Sequence, residues 1–320
     1  MPLCHRKQTS LFGAAFTAAL AFFAAPGSSE GQWQTDFEVA KKQATSRGKD
    51  LFVNFTGSDW CGFCIAIKEQ IFTQKVFLEG VRDNFILVEI DFPQSREQDE
   101  ALKEQNERLR VSFGVEGFPT LFLVDSNGKP YGHIPNQPGI TPGQFVAQME
   151  SHRGLRIKRD EKFAEADHKK ELDRAKSLHA GLEILDDEIV DRFYGDIIDE
   201  IVLLDKKDTL KRAAGRTFEK SMGKLREEIT ALARDGDHDA IEKKIDSFVS
   251  EKKLKKEQKQ AALMLKLGIF GPDQLDEVII FLAEVVKLNP ESRQGREAEE
   301  IRGRVEQFRR ERRAREAAGS

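Results

Sequence analysis

Cysteine is scarce in this chain: three in 320 residues, alongside two tryptophans, two tyrosines and four methionines. So few cysteines exclude a scaffold in which many disulfides replace a core. An excess of charge of one sign is also missing, because 51 basic residues stand against 55 acidic ones for a formal net charge of -4. No global field favours a polyanion or an anionic membrane, and nucleic acid is not an expected partner. The main apolar stretch, LFGAAFTAALAFFAA from Leu11 to Ala25, is too short to span a bilayer as a stable helix. Neither a P-loop nor a dinucleotide-binding fingerprint occurs, so the sequence implies no organic cofactor.

What is present falls into two kinds. At roughly 100–200 residues per domain the length suggests two domains, and the composition changes near Ser151. Before it lie nearly all the proline, tryptophan and β-branched runs; after it Lys, Glu, Arg, Asp, Leu and Ala dominate. At the start, Arg6 and Lys7 followed by the apolar stretch read as a secretory signal peptide over residues 1–27. Ala25 and Gly27 supply the small-x-small pattern for cleavage, and SSEGQ beyond suits an exposed processing site. Cleavage removes Cys4 and leaves Cys61 and Cys64 in a protein secreted across the cytoplasmic membrane, with the periplasm as its expected location.

Those two cysteines lie three apart in SDWCGFC, after the apolar run KDLFVNF. As a structural bridge they close too small a loop to stabilise much. As a zinc site they lack a second ligand pair, since His5, His133, His152, His168, His179 and His238 fall in no usual spacing. Redox chemistry remains, and the surroundings suit it. Lys49–Phe55 reads as a buried strand, and Ile65, Lys68, Ile71, Phe72 and Val76 recur at helical spacing beyond. Cys61 therefore falls where a strand gives way to a helix, whose unpaired N–H groups favour a thiolate. A second strand FILVEIDF, a charged helix over 98–110, a strand after Pro119 and a hairpin at Asp125–Gly128 follow, giving the order β-α-β-α-β-β. A last helix begins after Thr141 and Pro142.

In FVNFTGSDWCGFC, Asp91, GVEGFPTLFLVD and the NGK turn, residues 33–150 resemble the thioredoxin superfamily, specifically its secreted bacterial branch that includes the C-terminal domain of the thiol:disulfide interchange proteins. The resemblance implies a central mixed sheet flanked by helices over residues 28–152, with Cys61 as nucleophile and Cys64 as the thiol that resolves the mixed disulfide. It also implies that Trp60, Gly62, Phe63 and Phe118 support the site, with Pro119 cis beside the cysteines. From residue types alone, Trp60 would be a core aromatic and Pro119 a turn proline. Two departures stand out. Where thioredoxins carry a buried Asp that helps to move the resolving thiol's proton, this chain has Asn54, so Asp59, Glu89, Lys68 or water would have to substitute. Phe63 replaces the thioredoxin proline between the cysteines, which leaves the redox direction open.

Residues 153–320 read as an all-α domain. LEILDDEIVDRF, GDIIDEIVLLD, AIEKKIDSFV and LDEVIIFLAEVVKL are amphipathic helices, with breaks at DGDHD, GIFGPDQ and NPES. DEIVLLDKKD and AEVVKLNPES echo each other 84 residues apart, which suits tetratricopeptide-like helix pairs and equally a plain helical bundle. The sequence thus describes a periplasmic thiol-disulfide oxidoreductase acting on protein thiols and disulfides. It would be recharged by a membrane or soluble electron-transfer partner, and its helical domain would recruit clients. The competing description is a non-catalytic binding or scaffold protein with a thioredoxin-like docking domain.

Overall fold

The computed structural model describes residues 33–254 and 256–318, so residues 1–27, expected to be a signal peptide, lie outside the described residues. No helix among them is long and apolar enough to cross a membrane. The contacts divide the chain into two compact units. One runs to Gly128 and takes in Ile134–Ala147; the other takes Lys129–His133 and the chain from Gln148 onward.

In the first unit α1 (Phe37–Arg47) precedes β1 (Asp50–Thr56), α2 (Gly62–Ile67) and a π-helical turn (Lys68–Phe72). There follow α3 (Lys75–Val81), β2 (Phe85–Asp91), α4 (Glu100–Ser112) and β3 (Thr120–Val124), and after them in the chain β4 (Pro130–Ile134), whose residues up to His133 are counted with the second unit. The sheet order is β2-β1-β3-β4, with β1 parallel to β2 and antiparallel to β3. This is the thioredoxin-like mixed sheet. α1 has few large apolar residues, yet it forms because Asp36 caps it, accepting from Val39 N at 2.9 Å. It then buries Phe37, Ala40 and Ala44.

Every residue of β1 is buried, as a strand covered on both faces requires. On one face Phe52 meets Trp33, Phe72, Phe77 and Phe145, with ring centroids 5.5–6.1 Å apart. On the other, Phe55 packs on Phe113 at 5.3 Å and Phe122 at 6.2 Å. These separations fit favourable edge-to-face and tilted pairs.

α5 (Pro142–Asp167) is one unbroken helix that passes from the first unit into the second. The second unit adds α6 (Glu171–Leu182), α7 (Asp187–Phe193), α8 (Gly195–Leu204), α9 (Ala213–Arg234) and α10 (His238–Glu251). It closes with α11 (Lys256–Met264), a 3-10 turn (Leu265–Ile269), α12 (Leu275–Leu288) and α13 (Arg293–Ala318). α9 ends and α10 begins around Gly236, with Asp237 as cap accepting from Ala240 N at 3.0 Å. Among the described residues, Met222, Leu225 and Ala262 form one apolar cluster here and Leu282, Val285 and Ala298 another, while Leu178, Leu182, Ile189, Val190, Ile198 and Ile201 are buried as well. The helical pairs are compatible with a tetratricopeptide-like arrangement.

Phe52 carries the larger cluster of rings on one side of the sheet, and truncating a buried phenylalanine costs about 3–5 kcal/mol. Phe52→Ala is therefore expected to lower the stability of the reduced protein by that amount, read from the midpoint of urea unfolding.

Candidate active site

β1 ends at Thr56, and the chain turns through Gly57, Ser58, Asp59 and Trp60 before α2 begins. Gly57 is required by packing, since a Cβ there would lie 2.5 Å from the Trp60 ring. Cys61 is the N-cap of α2, and its sulfur accepts from Cys64 N at 3.4 Å. Both cysteines are free thiols. The Cys64 and Cys61 sulfurs are in direct contact, and Cys61 Sγ donates to the Phe118 carbonyl at 3.5 Å. The Phe118–Pro119 peptide is cis. The structure thus brings Cys61, Cys64 and Phe118–Pro119 together at the C-terminal end of β1.

The two sulfurs are not equivalent. Cys64 is 2% exposed, and burial, followed by the hydrogen bond with Cys61, pushes its thiol up to about 11. Removing water disfavours the thiolate more than the neutral thiol. Cys61 is also buried, at 8% exposed, but it is flanked in the chain by exposed Trp60 and Gly62. Phe63 is 72% exposed and Trp60 44% exposed. Trp60 Nε1 donates to the Phe92 carbonyl at 2.7 Å and its ring meets Phe118 edge-on at 5.9 Å. Phe92 stacks on Phe118 at 5.0 Å. Gly62 has open space where a Cβ would stand, so packing does not demand glycine there.

Sequence reasoning missed the device that holds this rim. The Asp91 carboxylate accepts from Ser58 N at 2.9 Å and Ser58 Oγ at 2.6 Å, and pairs with Arg96. Asp59 accepts from Gln94 N at 3.0 Å, Ser95 N at 2.7 Å and the Ser95 hydroxyl. Ser58, Asp59 and Trp60 therefore clamp the segment Phe92–Arg96 beside the cysteines. The Ser95 hydroxyl and the Gln94 amide hold the Asp59 carboxyl at about 2. A depressed carboxylate stabilises the fold above its ordinary pKa and loses that contribution as pH falls through the folded value. The Asp59 contacts consequently contribute fully above the ordinary carboxylate range and lose that contribution as pH falls towards about 2. Residues more than thirty positions apart are involved, and the only sequence signal was the run of capping-type residues Ser58, Asp59 and Ser95.

Among the described residues no group of three or more His, Cys, Asp or Glu is placed to hold a metal ion.

A strand-to-helix turn carrying two thiols opposite a cis-proline loop defines a class of fold and site, and comparison with known proteins agrees with it. The family described as a thioredoxin-like domain matches residues 37–152. The chain belongs to the thioredoxin-like family. Among its relatives is the disulfide bond reductase DsbH of Chlamydia pneumoniae, 33% identical over 125 residues, which are 39% of this chain and 74% of that protein. The thioredoxin-related protein DsbJ of the same organism is 29% identical over 120 residues. That match takes in 37% of this chain and spans about a third, 34%, of the relative's length. A solved structure of a DsbH oxidoreductase is 29% identical, with 45% of this chain and 96% of that one covered at a TM-score of 0.37.

The buried position of Cys64 has a direct chemical readout. Iodoacetamide at neutral pH is expected to alkylate Cys61 and spare Cys64, located by peptide mass mapping. In a Cys61→Ser variant the labelling of Cys64 should keep rising with pH well into the alkaline range. A rate already on its plateau at pH 8 would contradict this.

Proposed function

We propose that this chain is a periplasmic thiol-disulfide oxidoreductase that works in the reducing direction on protein disulfides. The observation that carries the reading is the run of contacts from Cys64 through Cys61 to the Phe118 carbonyl. The redox group is the cysteine pair itself. Cys61 attacks a substrate disulfide, releasing one thiolate and forming a mixed disulfide; Cys64 then attacks Cys61 Sγ and releases the second. Trp60, Phe63, Phe92 and Phe118 offer an apolar surface to the substrate chain around the nucleophile. The reducing direction is supported by the relative named a disulfide bond reductase.

Residues 1–27 serve as signal peptide, 28–152 as the catalytic domain and 153–320 as a helical domain that recruits protein partners. An electron-transfer partner in or near the membrane restores the dithiol. The alternative, a scaffold with a thioredoxin-like docking domain, draws support from the size of the helical part, which lies beyond the family match ending at residue 152.

Cys61→Ser is expected to abolish reduction of insulin disulfides, whereas Cys64→Ser should accumulate mixed disulfides with clients, visible on non-reducing gels. Unchanged turnover in Cys61→Ser would sink the proposal. Equilibration with dithiothreitol buffers should give a potential near that of thioredoxin, about -270 mV; a value near or above about -180 mV would reverse the direction. A chain lacking residues 153–320 should still reduce small disulfides, while a scaffold would show little turnover with or without them.

A further inference from the structure

We infer that Thr56 is a catalytic residue for both exchange steps at Cys64: its hydroxyl, together with the Gly57 N–H, donates to the Cys64 sulfur as that sulfur gains negative charge. The inference rests on the oxidoreductase reading above and deepens it.

Cys64 is 2% exposed, and with its thiol pushed up to about 11 only about one molecule in ten thousand carries the thiolate at neutral pH. A sulfur that must become charged away from water needs donors supplied by the fold. Strand and helix geometry bring one to it. Residues four apart in a strand share a face, so Thr56 lies on the face of β1 that bears Phe52. That face is covered by the helical run Gly62–Phe72, since the rings of Phe52 and Phe72 meet at 5.5 Å. The turn between strand and helix is closed by Trp60 N and Cys61 N, which donate to the Gly57 carbonyl at 3.3 and 2.9 Å. From Phe52 to Thr56 the strand rises about 13 Å, and from Phe72 back to Cys64 the helix rises about 12 Å. Thr56 and Cys64 therefore stand at one level, with Cys64, Ile67, Ile71 and Phe72 as the buried residues of the run.

At that level the Thr56 hydroxyl and the Gly57 N–H donate to the Cys64 sulfur. Both favour its thiolate, against burial and the neighbouring Cys61. Thr56 is itself fixed: it is 3% exposed, pairs with Asp91 in the parallel register, and its carbonyl accepts from Phe92 N at 2.9 Å. Valine would fill the same space and suits a buried strand as well, so packing does not ask for the hydroxyl.

Two steps put charge on Cys64. In resolution its proton goes to solvent and its thiolate attacks Cys61 Sγ. The Cys61–Cys64 bond forms, the bond from Cys61 to the substrate sulfur breaks, and the substrate leaves as a thiolate with the electron pair. The dithiol is oxidised and the substrate disulfide reduced. In recharging, one thiolate of a dithiol reductant attacks Cys61 Sγ, and Cys64 departs with the electron pair and takes a proton from solvent. The reductant's second thiolate then displaces Cys61, leaving the reductant as a disulfide. The transition states at Cys64 carry part of a negative charge there, whereas its end states at neutral pH, thiol and disulfide, carry none. Thr56 consequently alters both rates and leaves the potential unchanged.

The test compares full-length wild type, Thr56→Val, Thr56→Ala and Thr56→Ser. Reduced protein is mixed in stopped flow with substoichiometric 5,5′-dithiobis(2-nitrobenzoate), where each step releases one coloured thiolate. Oxidised protein is reduced with dithiothreitol, and the potential is read in dithiothreitol buffers. A hydrogen bond to a charged group is worth about ten- to hundredfold, and roughly half of that free energy is felt in the transition state of thiol exchange. Thr56→Val should therefore slow the second release and the reduction by dithiothreitol alike, by about fivefold. Thr56→Ala should show the same loss, so a damaged fold in one variant does not decide the outcome. The first release and the potential should match wild type, and Thr56→Ser, which keeps the hydroxyl, should behave as wild type throughout. A second release as fast as wild type in Thr56→Val and Thr56→Ala, an equal loss in Thr56→Ser, or a shifted potential overturns the proposal. In those cases a normal first release leaves the oxidoreductase reading standing. A wild-type protein with no first release overturns both.

Discussion

The pairing of β1 on both sides is the constraint from which the site follows. With β2 bonded parallel to it and β3 antiparallel, the strand cannot slide by one residue without turning its phenylalanines from one face to the other. Phe52 and Phe55 occupy opposite faces against separate groups of rings. The height at which β1 ends is therefore fixed by packing well away from the sulfurs. That height places Thr56 under Cys64 and sets the start of α2. On the other flank, the register of β3 brings Thr120 beside Phe55, so the preceding Phe118–Pro119 peptide arrives opposite Cys61.

Register positions the ends of the strands but not the loops beyond them. The segment Phe92–Arg96 leaves β2 with no regular structure, and a free loop there would let Trp60 and Phe92 swing away from Cys61. Asp91 and Asp59 prevent this by satisfying backbone N–H groups from opposite directions: Asp91 reaches from β2 into the cysteine turn, and Asp59 from the turn into the segment after β2. Charge-assisted bonds to backbone N–H groups are stronger than neutral ones and leave little freedom of geometry. Because Asp59 is held at about 2, its contacts to the segment after β2 do not change with pH across the range in which thiols react.

The parts legible in the sequence were those whose signal is local. W-C-G-F-C after an apolar strand, G-F-P-T before another, and the Asp125–Gly128 turn placed the sheet and the cysteines. DGDHD, GIFGPDQ and NPES marked breaks in the helical part, because glycine, proline and capping residues act on their own neighbours. α1 was not legible, since its buried side chains include Ala40 and Ala44, which carry almost no hydrophobic signal. The extent of α5 was hidden as well: its charges continue beyond residue 152 without a breaker, so the change of composition and the end of the helix do not coincide. The clamp could not be read because it joins residues 33 to 36 positions apart through loops with no periodicity.

The helical part is held differently from the sheet. Its surface carries many ion pairs, but exposed pairs are worth only about 0–1 kcal/mol each, so burial of apolar side chains such as Leu178, Leu182, Ile198, Ile201 and Leu282 does more to hold it. A few buried polar groups reinforce the register that this packing sets. Gln260 Nε2 donates to the carbonyls of Val285 and Asn289, both at 2.9 Å, while its Oε1 accepts from Ser292 Oγ at 2.8 Å. Gly295 sits so close to the Asn289 carbonyl that a Cβ would lie 2.0 Å from it. Lys266, nearly buried, is held between Glu242 and Asp246. Each of these loses more when mispaired than it gains when paired, because an unsatisfied buried polar group bears its full desolvation cost. These polar contacts therefore add to the apolar packing a penalty for other helix registers, a specificity that the exposed ion pairs of the surface supply only weakly.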